Sequence, residues 1–176
     1  QGTENDLSSL FLERIFRLAK ENGRVAQVLP GMMFGGASNK DLRTHLLDET
    51  TIEALVTFEN KGIAFPEIHD QFNFGVVIFK NSGKTNTLKG MFKHVGMEIL
   101  QEFDEKALTI PRQVLREYSP EARIFPQLQS QSEVNVLSAI TTHPPIGQEI
   151  DNSWFAHPYA ELHRTSDTDR FVEDKS

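Results

Sequence analysis

At 176 residues the chain is long enough for one domain or a domain and a part, and it has no apolar run near the roughly 20 residues that cross a bilayer. Zero cysteines rule out disulfides and thiolate-held metals, as suits a reducing cytoplasm, and the polar, acidic start lacks the basic and apolar regions of a signal peptide. The net charge of -7 argues against a piece that wraps nucleic acid by itself, although a total says little about any one face.

From Asp6 to Asn22 the spacing predicts an amphipathic helix. Leu7, Leu10, Phe11, Ile15 and Leu18 recur at three- and four-residue steps, so this stripe is expected to face a core. Asn5 or Asp6 is placed to cap its start, and Gly23 to end it in the left-handed conformation. A short strand follows at Arg24 to Leu29, buried if helices cover both of its faces. Ser38, with Asp41 three residues on, predicts the start of a second helix whose inner face is Leu42, Leu46 and Leu47. Ile52 to Phe58 and Phe74 to Phe79 read as two further strands, the last of them antiparallel, which makes the pattern α/β.

After Thr85 the punctuation is sparser. Thr87 to Phe92 reads as another strand, Ile110-Pro111 as the opening of a short helix to Tyr118, and Ser119-Pro120 as a second helix start. Ser132 to Ile140 is expected to be helical with Ser132 as its cap, and Thr141 to Asn152 carries the strongest boundary signal.

Taken together, the strand ending in Leu29-Pro30, a Gly-rich loop, a helix with Leu-Arg-x-x-Leu-Leu, a strand, a loop with Phe65-Pro66, and a strand closing in a Lys-x-x-Gly-Lys turn make a recognisable series. It resembles the DNA adenine-N6 methyltransferases of the large restriction-modification and phage-defence type. More closely, it resembles the carboxyl half of their Rossmann-like catalytic sheet. The segment from Trp154 to Phe171 is similar to the stretch that follows the catalytic half in those enzymes. The family's Phe-x-Gly-x-Gly-like turn for S-adenosylmethionine and its Asn-Pro-Pro-Tyr turn for the adenine amino group occur nowhere in the chain. By this resemblance residues 1–85 are the carboxyl half of the catalytic domain, 86–143 a connecting region, and 144–176 the start of a segment leading to target recognition.

The resemblance implies that the intact enzyme moves a methyl group from S-adenosylmethionine to adenine in double-stranded DNA, in the cytoplasm. No cofactor site and no turnover are then expected of this chain alone. Self-association is expected, because a sheet without its first strands exposes an edge. The alternative is a noncatalytic DNA- or protein-interaction module on an α/β scaffold.

In the family the target adenine is rotated out of the duplex and stacked between rings. The resemblance places one such ring at Phe65, stiffened by Pro66; the structural alternative is a core anchor for the loop. Phe72 and Phe74 are rival aromatics expected to pack. Where many large family members carry a basic residue and Tyr before the corresponding strand, this chain has Gln71 and Phe72. Pro30, Gly31, Gly35 and Gly36 leave the carboxyl end of a strand, where open α/β sheets hold ligands. They border the adenine pocket by resemblance, or form a simple strand-to-helix connection. Lys40 and Arg43 are candidates for DNA phosphate contacts, with a solvated helix face as the alternative.

Other motifs do not hold. Gly83-Lys84-Thr85 fails as a phosphate-binding loop, because Ile78 stands where that motif needs Gly, so a tight turn is expected. The histidines fall at no ligand spacing, so no metal is expected. Asp167-x-Asp169 lacks the companions of a nuclease centre and reads as a solvated loop.

Overall fold

The computed structural model describes residues 7–62 and 64–145. The chain divides into two units, Gln1–Thr141 and Thr142–Ser176, and every element below belongs to the first. The caps suggested at Asn5 or Asp6 and the segment from Trp154 to Phe171 lie outside the described residues.

The first helix, α1, is Leu7–Leu18. Its buried face is Leu12, with Ile15 and Phe16 packed beside it. Most of the expected stripe points elsewhere: Leu7, Leu10, Phe11 and Leu18 are 47 to 68% exposed. The helix carries apolar residues on two faces, and the sheet covers one. Asn22, not Gly23, takes the left-handed conformation after the helix, at φ 64°. An amide side chain tolerates that region better than most. Gly23 serves a different need, since a Cβ there would lie 2.9 Å from the Lys20 carbonyl oxygen.

Strand β1 (Arg24–Pro30) leads into one helical turn, α2 (Met32–Gly35), then a 3₁₀ turn at Ala37–Asn39, and then α3 (Lys40–Asp48). Ser38 is therefore inside the turn, and no side chain caps α3. Leu46 and Leu47 are buried and Leu42 packs against the same core, as the periodicity requires. Strands β2 (Thr51–Phe58), β3 (Phe74–Lys80) and β4 (Thr87–His94) follow, then a 3₁₀ stretch at Met97–Glu102 and a helical turn, α4 (Phe103–Lys106). Strand β5 (Leu108–Pro111) precedes α5 (Arg112–Tyr118). Ser119-Pro120 opens no helix; the next one is α6 (Gln131–Ile140). Its cap is Ser130, whose hydroxyl accepts the Glu133 amide N–H at 3.2 Å, in place of the Ser132 expected.

The sheet order is β1-β3-β2-β4-β5. β3 runs antiparallel to both β1 and β2, while β2 and β4 are parallel. The fold is thus the α/β arrangement expected, with the Phe74 strand reversed and inserted between its predecessors. Alternation along the strands sends Leu55, Val77, Phe79, Leu88 and Phe92 to one core, which α1, α3, α5 and α6 cover. Val56, Phe58, Phe74 and Met91 form a second core under Ile99 and Phe103. The turn at Gly83 has φ +86°, and the buried Thr85 hydroxyl donates to the Thr50 carbonyl at 2.9 Å while accepting the Ile52 amide at the same distance. With its hydroxyl so engaged, the Gly-Lys-Thr sequence is a turn.

Among the described residues β1 pairs with β3 alone; Val28 on its open face is 53% exposed and Met32 beyond it 56%. Coverage of one face only explains why β1 is less buried than the sequence suggested. An open strand edge beside apolar surface favours association. The weight-average mass in sedimentation velocity is expected to rise with concentration; a constant monomer mass would show that this edge is protected.

Candidate functional site

Register sets a row of residues across one end of the sheet. Pro30 pairs with Phe74, Phe74 with Phe58, and Phe58 with His94, so the carboxyl ends of β1, β2 and β4 meet the start of β3. The rings of Phe58 and Phe74 stack with centroids 5.1 Å apart and planes at 17°. Phe65, from the connection between β2 and β3, stands edge-on to Phe74 at 5.0 Å and 85°. Phe65 is 38% exposed against 8% for Phe74, so of the two it is the one that reaches solvent.

Asn60 holds the Phe65 loop. This buried amide donates to the Phe65 carbonyl at 3.1 Å and the Ile68 carbonyl at 2.9 Å, and its oxygen accepts the Phe65 N–H at 3.3 Å. One side chain therefore satisfies three backbone groups that would otherwise compete for water. Sequence reading missed Asn60; its position just past a strand, at the start of a Gly- and Pro-containing loop, was the available signal. Phe72 also departs from expectation. It is 67% exposed rather than packed, which leaves a second ring and Ile68 at the rim.

The Gly-rich connection is less open than its composition suggests. Gly31 N–H donates to the Asn73 carbonyl at 2.7 Å, so the chain leaving β1 is tied to the residue that enters β3. Met33 and Phe34 then anchor α2 in the main core. Gly35 has open space where a Cβ would be, whereas a Cβ at Gly36 would meet the Met32 carbonyl at 2.7 Å. Pro30 and Gly31 thus approach the Phe65 loop through Phe74 and Asn73, while Gly35 and Gly36 lie one helical turn farther on.

Lys40 is exposed at the start of α3. Arg43 is not a surface cation. It is completely buried, and its guanidinium donates to the Met33 carbonyl at 2.8 Å and the Ala122 carbonyl at 2.6 and 3.2 Å. Burial lowers its pKa from the ordinary guanidinium value, and the carbonyl oxygens accept the donors a phosphate would otherwise take. The leucine periodicity placed Arg43 beside the core; its long donor-rich head supplied no way to tell a phosphate contact from an internal tie.

His94 closes the row. It borders a cavity of about 240 Å³ with Met91, Lys106, Leu128 and Gln129. Burial, and secondarily the charge of Lys106, hold its pKa below the usual imidazole value. Among the described residues no group of three or more His, Asp or Glu converges on a point where a metal would sit.

Comparison with known proteins finds likenesses over part of the chain. Residues 1–78 match the family model described as Eco57I restriction-modification methylase. No curated protein matches the chain. A solved chain of the type I R-M system, from work on its complex assembly and conformational transition, superposes with a TM-score of 0.56 at 14% identity, covering 80% of this chain and 37% of that one. The M protein of the type I restriction enzyme EcoKI superposes with a TM-score of 0.54 at 13% identity, covering 78% of this chain and 41% of its own. This chain therefore spans less than half the length of either structure, and at these identities the likeness is one of fold. The resemblance read from the sequence stands over residues 1–78, which include Pro30, the Phe65 loop and Phe74.

Proposed function

We propose that this chain is the carboxyl half of the catalytic domain of a DNA adenine-N6 methyltransferase acting in restriction-modification, and that Phe65 supplies one face of the clamp on the extruded base. The observation that carries this reading is the exposed Phe65 ring, braced edge-on by Phe74 and latched by Asn60 at the carboxyl ends of β1 and β2. Open α/β sheets hold their ligands at that end. The matched family supports the chemistry, and the neighbours named for type I restriction enzymes support DNA and further protein subunits as partners. In this reading the domain limits are 1–85, 86–143 and 144–176, and the enzyme works in the cytoplasm.

S-adenosylmethionine would supply the methyl group. The sequence contains neither the Phe-x-Gly-x-Gly turn that the resemblance assigns to the donor nor the Asn-Pro-Pro-Tyr turn that it assigns to the adenine amino group. What this chain does is hold the base: a flat apolar wall positions the amino group and keeps water from one side of it. Positioning of this kind is a large part of the barrier reduction in a direct transfer.

The test is made in the full-length enzyme. Phe65→Ala is expected to remove about 1–3 kcal/mol of base stacking, a loss of roughly 5- to 150-fold in methyl transfer, with weaker 2-aminopurine fluorescence at the target position. Melting is expected to change little, because the ring is part exposed. Phe65→Trp should retain much of the activity. Normal base extrusion by Phe65→Ala would remove Phe65 from the clamp and return it to a loop-anchoring role.

A further inference from the structure

A second surface carries chemistry that the base clamp does not use. Arg112, Arg116 and Arg123 surround an open concavity of about 530 Å³, with Gln113, Glu117 and Pro120 completing its wall. In a chain of net charge -7 this grouping runs against the composition. Arg112 is its fixed member. It donates to the carbonyls of Leu47 at 2.7 Å and Thr85 at 2.8 Å and pairs with Asp48.

Arg116 and Arg123 are different: no carboxylate forms an ion pair with either among the described residues. Glu117 is oriented toward Gln113, whose amide donates to it at 3.4 Å. Arg123 occupies the left-handed region at φ 55°, an uncommon conformation for a residue with a side chain. Its N–H donates to the Ser119 carbonyl at 2.7 Å, and its Nη1 reaches the Arg116 carbonyl at 3.5 Å. The turn after α5 thus folds Arg123 back beside Arg116. Both guanidiniums line the concavity with no ion-paired carboxylate among the described residues, so an anion there would meet two uncommitted positive charges. Their planar donor forks suit phosphate oxygens.

The concavity is also connected to the candidate site. Ala122, immediately before Arg123, accepts the Arg43 guanidinium that also donates to Met33, and the Phe125 N–H donates to the Phe34 carbonyl at 3.1 Å. The segment bearing Arg123 is therefore fastened to α2, which follows Pro30. Lys40 is exposed one helical turn before Arg43.

We propose that Arg116 and Arg123 bind phosphodiester groups of a DNA strand, as a backbone clamp separate from the base-holding loop. This rests on the reading of the chain as part of a DNA-modifying enzyme. The test uses the full-length enzyme and a labelled duplex of arbitrary sequence, followed by fluorescence anisotropy across a salt series. The double variant R116Q/R123Q is expected to bind about tenfold more weakly at low salt, and its slope of log affinity against log salt should shrink by about 2, near 0.9 for each phosphate no longer neutralised. Lys84→Gln, in the Gly83 turn, should match the unsubstituted enzyme. Circular dichroism should show the same melting for all three.

Equal duplex affinity and slope in R116Q/R123Q overturn the proposal, as does absence of duplex binding by the unsubstituted enzyme. Calorimetry with pyrophosphate separates the remaining source of phosphate: if the double variant loses pyrophosphate binding while its duplex affinity is unchanged, the concavity holds a small anion and the DNA clamp is rejected. Methyl transfer and base extrusion do not enter this readout, so either the backbone clamp or the Phe65 clamp can fail while the other stands.

Discussion

Arg43→Met is expected to destabilise the chain by about 2–4 kcal/mol in urea unfolding. The buried Met33 carbonyl and the part-buried Ala122 carbonyl lose a charged donor, and an unsatisfied buried acceptor costs about 1–3 kcal/mol. Met33 and Ala122 belong to segments far apart in sequence, so the variant should also loosen the 119–125 turn from α2. Hydrogen exchange at the Phe125 amide, which donates to Phe34, should accelerate selectively. Arg43→Lys should recover part of the stability, because one ammonium cannot reproduce a fork aimed at two carbonyls. Unchanged stability with weakened duplex binding would instead assign Arg43 to DNA.

Phe34→Ala is expected to cost about 3–5 kcal/mol, the range for truncating a buried aromatic. The ring is completely buried and meets Phe125 edge-on at 6.2 Å. It also lies over Gly75 so closely that a Cβ there would be 2.4 Å from Phe34 Cε2. Gly75→Ala alone should therefore destabilise by about 1–3 kcal/mol through overpacking. The pair is expected to be less than additive, since the smaller residue at 34 makes room for the added methyl at 75. Strict additivity in urea denaturation would show that the two positions are not in mutual contact.

These two side chains also show where sequence reading succeeds and stops. Strands β1, β2 and β3 were legible because Val, Ile and Phe cluster between Gly- and Asn-containing breaks, and the reversal of β3 followed from the order of elements, two strands in succession after the second helix. β5 was not legible: Leu-Thr-Ile-Pro is short and ends in a residue that cannot donate, so only its pairing with β4 identifies it as an edge strand. The rotation of α1 was equally hidden, because Leu7, Leu10 and Phe11 are as apolar as Leu12, Ile15 and Phe16, and the neighbouring strands decide which set is buried. In the candidate site Phe65 could be singled out from Phe-Pro and the resemblance. The Asn60 latch and the inward turn of Arg43 depend on which carbonyls lie nearby, and no spacing within one element encodes that.

The insertion of β3 between β1 and β2 has a consequence for how the chain emerges from the ribosome. β1 ends at Pro30, but its partner begins at Phe74, so translation at about 5–20 residues per second separates the two by roughly 2–9 s. During that interval β2 can form only beside an empty lane, and β1 has no hydrogen-bonding neighbour within the sheet of this unit. The nascent segment must remain unpaired until its younger middle strand arrives to join both. A pause before β3 has left the exit tunnel would prolong that window, whereas one once Lys80 has emerged would allow all three strands to close before β4 joins them.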